Sequence, residues 1–169
     1  IVKESARIGR KVIVATHMLE SMIENPVPTR AEVTDVANAI FEQADAVMVS
    51  GETSVGRYPV KCIEVLDRIA RRMEREPGAG FSEDIELRTE KQHTVKSAVG
   101  LANSLEDAHL IIFTARGVLA NYAAHQRPTR SNIYAFSPDE VVVRALNLNR
   151  AVFSYPMQFN KDTETVSFT

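Results

Sequence analysis

The chain has 169 residues, a formal net charge of −2 and one cysteine, with 44% hydrophobic and 25% charged residues. That is an ordinary globular composition, long enough for one or two domains with a core. The lack of a basic surplus excludes a general nucleic-acid binder. No apolar run reaches the length of a bilayer span, which argues against a membrane protein.

Residues 1–8 read as helix-like. The chain opens there without methionine and stops at Thr169 with no winding-down segment, so a piece of a longer protein is expected. Residues 12–15 form an apolar run after Arg10 and Lys11, and residues 46–49 form a second. Both are short, rich in β-branched residues and bounded by polar ones, which predicts strands buried on both faces. Between them Val33, Val36, Ala37, Ile40 and Phe41 fall on one helical stripe, with Glu32, Asp35, Asn38 and Glu42 away from it. Pro28 stops the incoming chain and Thr29 offers a capping hydroxyl. Tyr58-Pro59 opens a further helix with Ile63, Leu66, Ile69, Ala70 and Met73 on its apolar face. Its outer side, with Arg68, Arg71, Arg72, Glu74 and Arg75, reads as solvated. Cys62 lies within this helix and reads as a buried structural thiol, so a reducing cytoplasm is the expected setting. Strand, helix, strand, helix implies parallel strands joined by crossovers.

Residues 77–94 carry Pro77, Gly78 and Gly80, then charges without an apolar period. They read as a linker between a first unit over 1–76 and a second α/β unit over 95–169. In the second unit helices are expected at 95–105, 118–124 and 140–148, the last capped by Ser137 or Asp139. They alternate with strands at 109–113, 132–136 and 151–155.

Three stretches carry chemistry. The first is Ala15-Thr16-His17-Met18-Leu19-Glu20-Ser21-Met22. In parallel α/β folds the carboxyl ends of strands face the ligand. Thr16 presents a hydroxyl there, and a helix beginning near Met18 would aim free backbone amides at a carboxylate or phosphate. The plainer reading makes Thr16 a helix cap. The second stretch, Ser50-Gly51-Glu52-Thr53, repeats a hydroxyl at a strand end. Gly51 permits a tight turn or a close approach, and Glu52 is expected to accept hydrogen bonds from turn amides rather than to hold a ligand. The third is Asn25-Pro26-Val27-Pro28-Thr29-Arg30-Ala31-Glu32. Arg30 at a helix start opposes the macrodipole and calls for an anionic partner: a ligand, another subunit, or Glu32 or Glu42. His17, His93, His109 and His125 lack metal-ligand spacing. Gly78-Ala79-Gly80 does not join a strand to a helix and is no phosphate loop.

Together these stretches resemble the pyruvate kinase family, whose pattern reads Ala-Thr-Gln-Met-Leu-Glu-Ser-Met, Pro-Thr-Arg-Ala-Glu, Asp-Val-Ala-Asn-Ala and Met-Leu-Ser-Gly-Glu-Thr. Here they stand as residues 15–22 with His17 for Gln, 28–32, 35–39, and 48–53 with Val49 for Leu, followed by Gly56, Tyr58 and Pro59. The resemblance is dense over 12–59 and weaker beyond. It implies an α/β fold: the last two βα units of a (β/α)8 barrel, then a C-terminal α/β domain with a mainly parallel sheet. It implies phosphoryl transfer from phosphoenolpyruvate to ADP, giving pyruvate and ATP in glycolysis, in a homotetramer with no nucleic-acid or membrane partner. Thr16 matches a threonine that contacts the substrate near its carboxylate. Ser50 matches a catalytic-site serine near the active-site water and phosphate. Arg30 matches a helix start at a subunit interface. The catalytic lysine, the ligands for Mg2+ (or Mn2+) and K+, and the lid domain would lie upstream of Ile1, so this segment alone is expected to be inactive. Relatives hold a phosphorylated sugar in a loop corresponding here to Thr114-Ala115-Arg116-Gly117-Val118-Leu119. Thr114, Arg116 and Gly117 suit such an effector loop, but Ala115, Val118 and Leu119 replace hydroxyls, and strong activation by fructose 1,6-bisphosphate is not expected. The alternatives are a stand-alone regulatory or binding module derived from this portion, and another barrel enzyme acting on a small carboxylate.

Overall fold

In the computed structural model of the chain, residues 1–15 and 17–159 are described. The chain divides into two compact units, Ile1–Glu86 and one that starts at Leu87.

The first unit opens with helix α1 (Val2–Arg7) and strand β1 (Ile13–Val14). Helix α2 (Arg30–Phe41) leads to strand β2 (Ala46–Val47), one short turn of helix α3 (Gly51–Ser54) and helix α4 (Pro59–Met73). β1 and β2 are parallel, with Ile13 opposite Ala46 and Val14 opposite Val47. The expected parallel pairing therefore holds. The expected burial on both faces does not. Side chains alternate across a strand. Val14, Val47 and Val49 pack on the core of Met18, Leu19, Met22, Val36, Cys62 and Leu66. Ile13 and Met48 fall on the other face and are 60% and 47% exposed.

Thr29 caps α2 as expected. A full capping box forms, in which Thr29 accepts from the Glu32 amide and the Glu32 carboxylate accepts from the Thr29 amide. In α4 the expected face holds at Leu66, Ile69, Ala70 and Met73, all buried or half-buried, and fails at Ile63. Cys62 and Leu66 are buried while Ile63 is exposed. Residues 62, 65, 66 and 69 follow the i, i+3, i+4, i+7 spacing and meet the same core as α2 and the strand pair. Cys62 is thus the buried thiol foreseen, and burial, followed by the charges of Glu52 and Glu32, raises its pKa. The outer charges pair with solvent-side neighbours, Arg71 with Asp67 at 2.7 Å and Arg72 with Glu76 at 2.7 Å.

The second unit contains helices α5 (Glu90–Ser104), α6 (Val118–His125) and α7 (Glu140–Leu146). Its strands are β3 (Leu110–Phe113), β4 (Ile133–Ser137) and β5 (Val152–Pro156), parallel and in the order β3-β4-β5. α5 starts at Glu90 rather than at residue 95, inside the stretch read as linker, because Thr89 and Gln92 form a second capping box. Asp139, not Ser137, caps α7 by accepting from the Val141 amide at 2.8 Å. α7 ends at Leu146, and Leu148 beyond it is exposed. One sheet face packs Ile133, Ala135 and Val152 against Val95, Val99, Ala120, Ala123 and Leu146. Residues 160–169, included in the expected second unit, lie outside the described residues.

Candidate functional site

At the carboxyl ends of β1 and β2 a depression of about 260 Å³ is lined by Ala15, His17, Glu20, Ile23, Met48, Ser50, Gly51 and Glu52. The two strands deliver two consecutive βα loops to one place, as the parallel topology dictates. Ser50 lies three residues beyond β2, at the N-cap of α3, and is exposed. Its hydroxyl does not cap α3, so it is available to the depression. Thr16, the other strand-end hydroxyl, lies outside the described residues.

Glu52 is 4% exposed. Its carboxylate accepts from the Leu19 amide at 3.1 Å and from the Ser50 amide at 2.8 Å. Burial by itself raises its pKa, but amide donors from Glu52 itself, Ser50 and Leu19, and then the charge of His17, outweigh burial and leave it below the ordinary carboxylate value. Glu52 is thus the turn organiser foreseen, and it also spans the two loops. The same pair of loops is joined by the Arg57 amide donating to the Ile23 carbonyl at 2.9 Å and by Arg57 Nε at 3.2 Å from Glu24. A Cβ on Gly51 would come within 3.1 Å of the Ile23 side chain, so the glycine admits a neighbouring loop.

Glu32 does comparable work on the opposite side of the first loop. Its carboxylate accepts from the Ser21 amide at 2.7 Å and from the Ser21 hydroxyl at 2.5 Å as well as from Thr29. Burial raises its pKa, while the Ser21 and Thr29 donors bring it below the ordinary value. These bonds overturn one expectation. No α-helix with free amides begins near Met18. A single 3-10 turn, Glu20–Ile23, forms instead, and the Leu19 and Ser21 amides are already taken by the protein's own carboxylates. The dual role of Glu32 was not foreseen. Only its place in the Thr29-x-x-Glu32 spacing was visible, because the Ser21 contact is tertiary.

Arg30 is exposed at the first position of α2. Glu32, one intrachain partner considered for it, is taken up by Thr29 and Ser21. In the second unit Thr114 is buried, its amide bonded to the Phe136 carbonyl at 2.9 Å. Gly117 is the N-cap of α6 at φ 75°. A Cβ there would stand 3.2 Å from Val142 and 3.3 Å from Leu146, so this glycine serves backbone conformation and packing against α7. Arg116 and Val118 are exposed. Glu20 was not singled out in the sequence, although its i,i+3 spacing from His17 was a usable signal: His17 Nδ1 stands 3.0 Å from its carboxylate.

No helix among the described residues is long and apolar enough to cross a membrane. The family "Pyruvate kinase, barrel domain" matches residues 1–63, and "Pyruvate kinase, alpha/beta domain" matches residues 92–168. The chain is 39% identical to the chloroplastic pyruvate kinase isozyme G of Nicotiana tabacum, over 97% of this chain and 30% of that protein. It is 39% identical to the pyruvate kinase of Geobacillus stearothermophilus, over 91% of this chain and 27% of that protein. The chain thus spans less than a third of the length of these relatives. A crystal structure of a pyruvate kinase from Cryptosporidium parvum superposes with a TM-score of 0.84 at 31% identity, covering 92% of this chain and 32% of the other. One from Pyrobaculum aerophilum does so with a TM-score of 0.84 at 30% identity, covering 95% and 34%. With strand-end loops of this geometry and both domain types matched in order, the chain belongs to the pyruvate kinase family.

Proposed function

We propose that this chain serves a protein that transfers a phosphoryl group from phosphoenolpyruvate to ADP, giving pyruvate and ATP. The observation that carries this reading is the locked pair of βα loops that leaves the Ser50 hydroxyl facing a depression at the strand ends. A hydroxyl donates one hydrogen bond and accepts others, so Ser50 can pass a proton to or from a bound water or hold a phosphate oxygen. Thr16 is proposed to contact the substrate near its carboxylate. Glu52 is a poor candidate for a base, because amides already occupy both its oxygens. Among the described residues no group of three or more His, Cys, Asp and Glu could hold a metal ion. Following the family resemblance, the proposal assigns Mg2+ or Mn2+, with K+, to residues outside this segment.

The test is pyruvate formation by the protein that carries this chain. Turnover dependent on phosphoenolpyruvate and ADP is expected, and its absence would overturn the reading. Thr16→Ala is expected to lower kcat/KM by about 10- to 100-fold, the loss of one hydrogen bond to a charged group. Unchanged steady-state kinetics would remove Thr16 from the site. The chain's share of its relatives' length keeps a stand-alone binding or regulatory module in view. The intact mass of the native protein separates the two.

A homotetramer is proposed, with Arg30 facing another subunit, since its helix-start charge is unfavourable without an anion. Arg30→Glu is then expected to shift sedimentation toward smaller species. An unchanged profile together with unchanged cooperativity would make Arg30 an ordinary surface residue. Thr114, Arg116 and Gly117 are proposed as a weak effector loop. The proposed location is the cytoplasm, on the ground of the single buried thiol, although the tobacco relative is named chloroplastic. Cell fractionation decides this.

A further inference from the structure

His17 lines the same depression as Ser50, and the proposed chemistry leaves it without a role. Its side chain is 79% exposed, with Nδ1 3.0 Å from the Glu20 carboxylate. Its backbone lies at φ 32°, a region uncommon for residues with a side chain. The residue stands at the rim of the depression, between β1 and the 3-10 turn in the chain. The titratable groups lining the depression are His17, Glu20 and Glu52. Glu52 is ionised at neutral pH because its carboxyl lies below the ordinary range. With both carboxylates ionised, these side chains carry one net negative charge when the ring is protonated and two when it is neutral.

We propose that His17 is a pH-dependent positioning residue of the strand-end site: its protonated ring, tethered to Glu20, favours capture of an anionic substrate at the rim, and the neutral ring withdraws that help. Imidazole is the side chain that ordinarily changes charge between about pH 5 and 8. The sign follows directly. The favourable charge is present at the acidic end and lost at the alkaline end, so the KM for an anionic substrate rises with pH. A single charge at an exposed rim, partly screened by water and salt, changes capture by about two- to fivefold. The inference rests on the reading of this depression as the phosphoenolpyruvate side of the site.

The experiment uses the full-length protein with phosphoenolpyruvate as the probe. KM and kcat are measured between about pH 6 and 8 for the native protein, His17→Gln and His17→Lys. Relative to His17→Gln, the native KM is expected to climb about two- to fivefold more across the range. His17→Lys keeps its charge throughout and is expected to hold KM low at the alkaline end. The substrate's own phosphate titration is common to all three and cancels in the ratios. A purely structural role would lower kcat and Tm together without altering the pH dependence of KM. If His17→Gln follows the native profile, or His17→Lys follows His17→Gln, the inference is overturned. If none of the three turns over phosphoenolpyruvate at any pH, the functional reading itself fails and this inference falls with it, an outcome plainly distinct from the other two.

Discussion

Gly56→Ala is expected to lower the stability of the first unit by about 3 kcal/mol or more, among the larger effects of a single methyl group. The reason is one distance. A Cβ on Gly56 would stand 2.4 Å from the backbone oxygen of Glu52 and 3.0 Å from its carbonyl carbon. Backbone at that separation cannot yield as the tip of a side chain can. The turn is also tightly drawn: the Gly56 amide donates to the Gly51 carbonyl at 2.9 Å, and the next amide, Arg57, reaches across to Ile23. Relief therefore requires moving α3, and with it the Glu52 carboxylate that joins the two strand-end loops. For a chain of this size the loss corresponds to a fall in Tm of about 6–12 °C. Thermal unfolding followed by far-UV circular dichroism checks it. A shift under about 2 °C would show that the turn relaxes freely.

The route from sequence to site was legible where chemistry is local. The Thr29-x-x-Glu32 spacing is a capping box and forms one. The hydroxyl after the second apolar run lies in the loop just past a strand and lines the depression, as Ser50 does. Parallel strand pairing followed from alternating apolar runs and helical stripes. What escaped was set by contacts between distant segments. The Leu19 amide is filled by a carboxylate 33 residues away, and no pattern around Met18 announces that. In α4 the burial of Cys62 and the exposure of Ile63 reflect where the strand pair and α2 leave space, a packing choice invisible to periodicity alone. The start of α5 was different. Thr89 and Gln92 stood in the sequence with capping-box spacing, and the dense charge around them masked it.

Glu52→Gln is expected to destabilise the first unit by about 1–3 kcal/mol, the cost of leaving one buried amide without an acceptor. Glu52 is 4% exposed and its two oxygens serve two separate donors, Leu19 through one and Ser50 through the other. Glutamine keeps the shape and one acceptor, but its NH2 group must face an N–H, two donors with nothing between them. The pH dependence distinguishes this from a simple packing defect. Burial raises the Glu52 pKa, the amide donors together lower it by more, and the net value in the folded chain lies below that of the unfolded chain. A group of that kind stabilises the fold above its unfolded pKa, about 4.3 for glutamate, and the stabilisation is lost as pH falls through the folded value. The native protein is therefore expected to lose its advantage over Glu52→Gln on acidification below about pH 4.3. Glu32 is also shifted downward and adds a slope of the same sign, but that slope is present in both proteins and cancels in the difference. The measurement is the Tm difference between native protein and variant at neutral pH and at successively lower pH. A gap that stays constant through the carboxylate range would mean that the ionised form of Glu52 does not hold the two loops together.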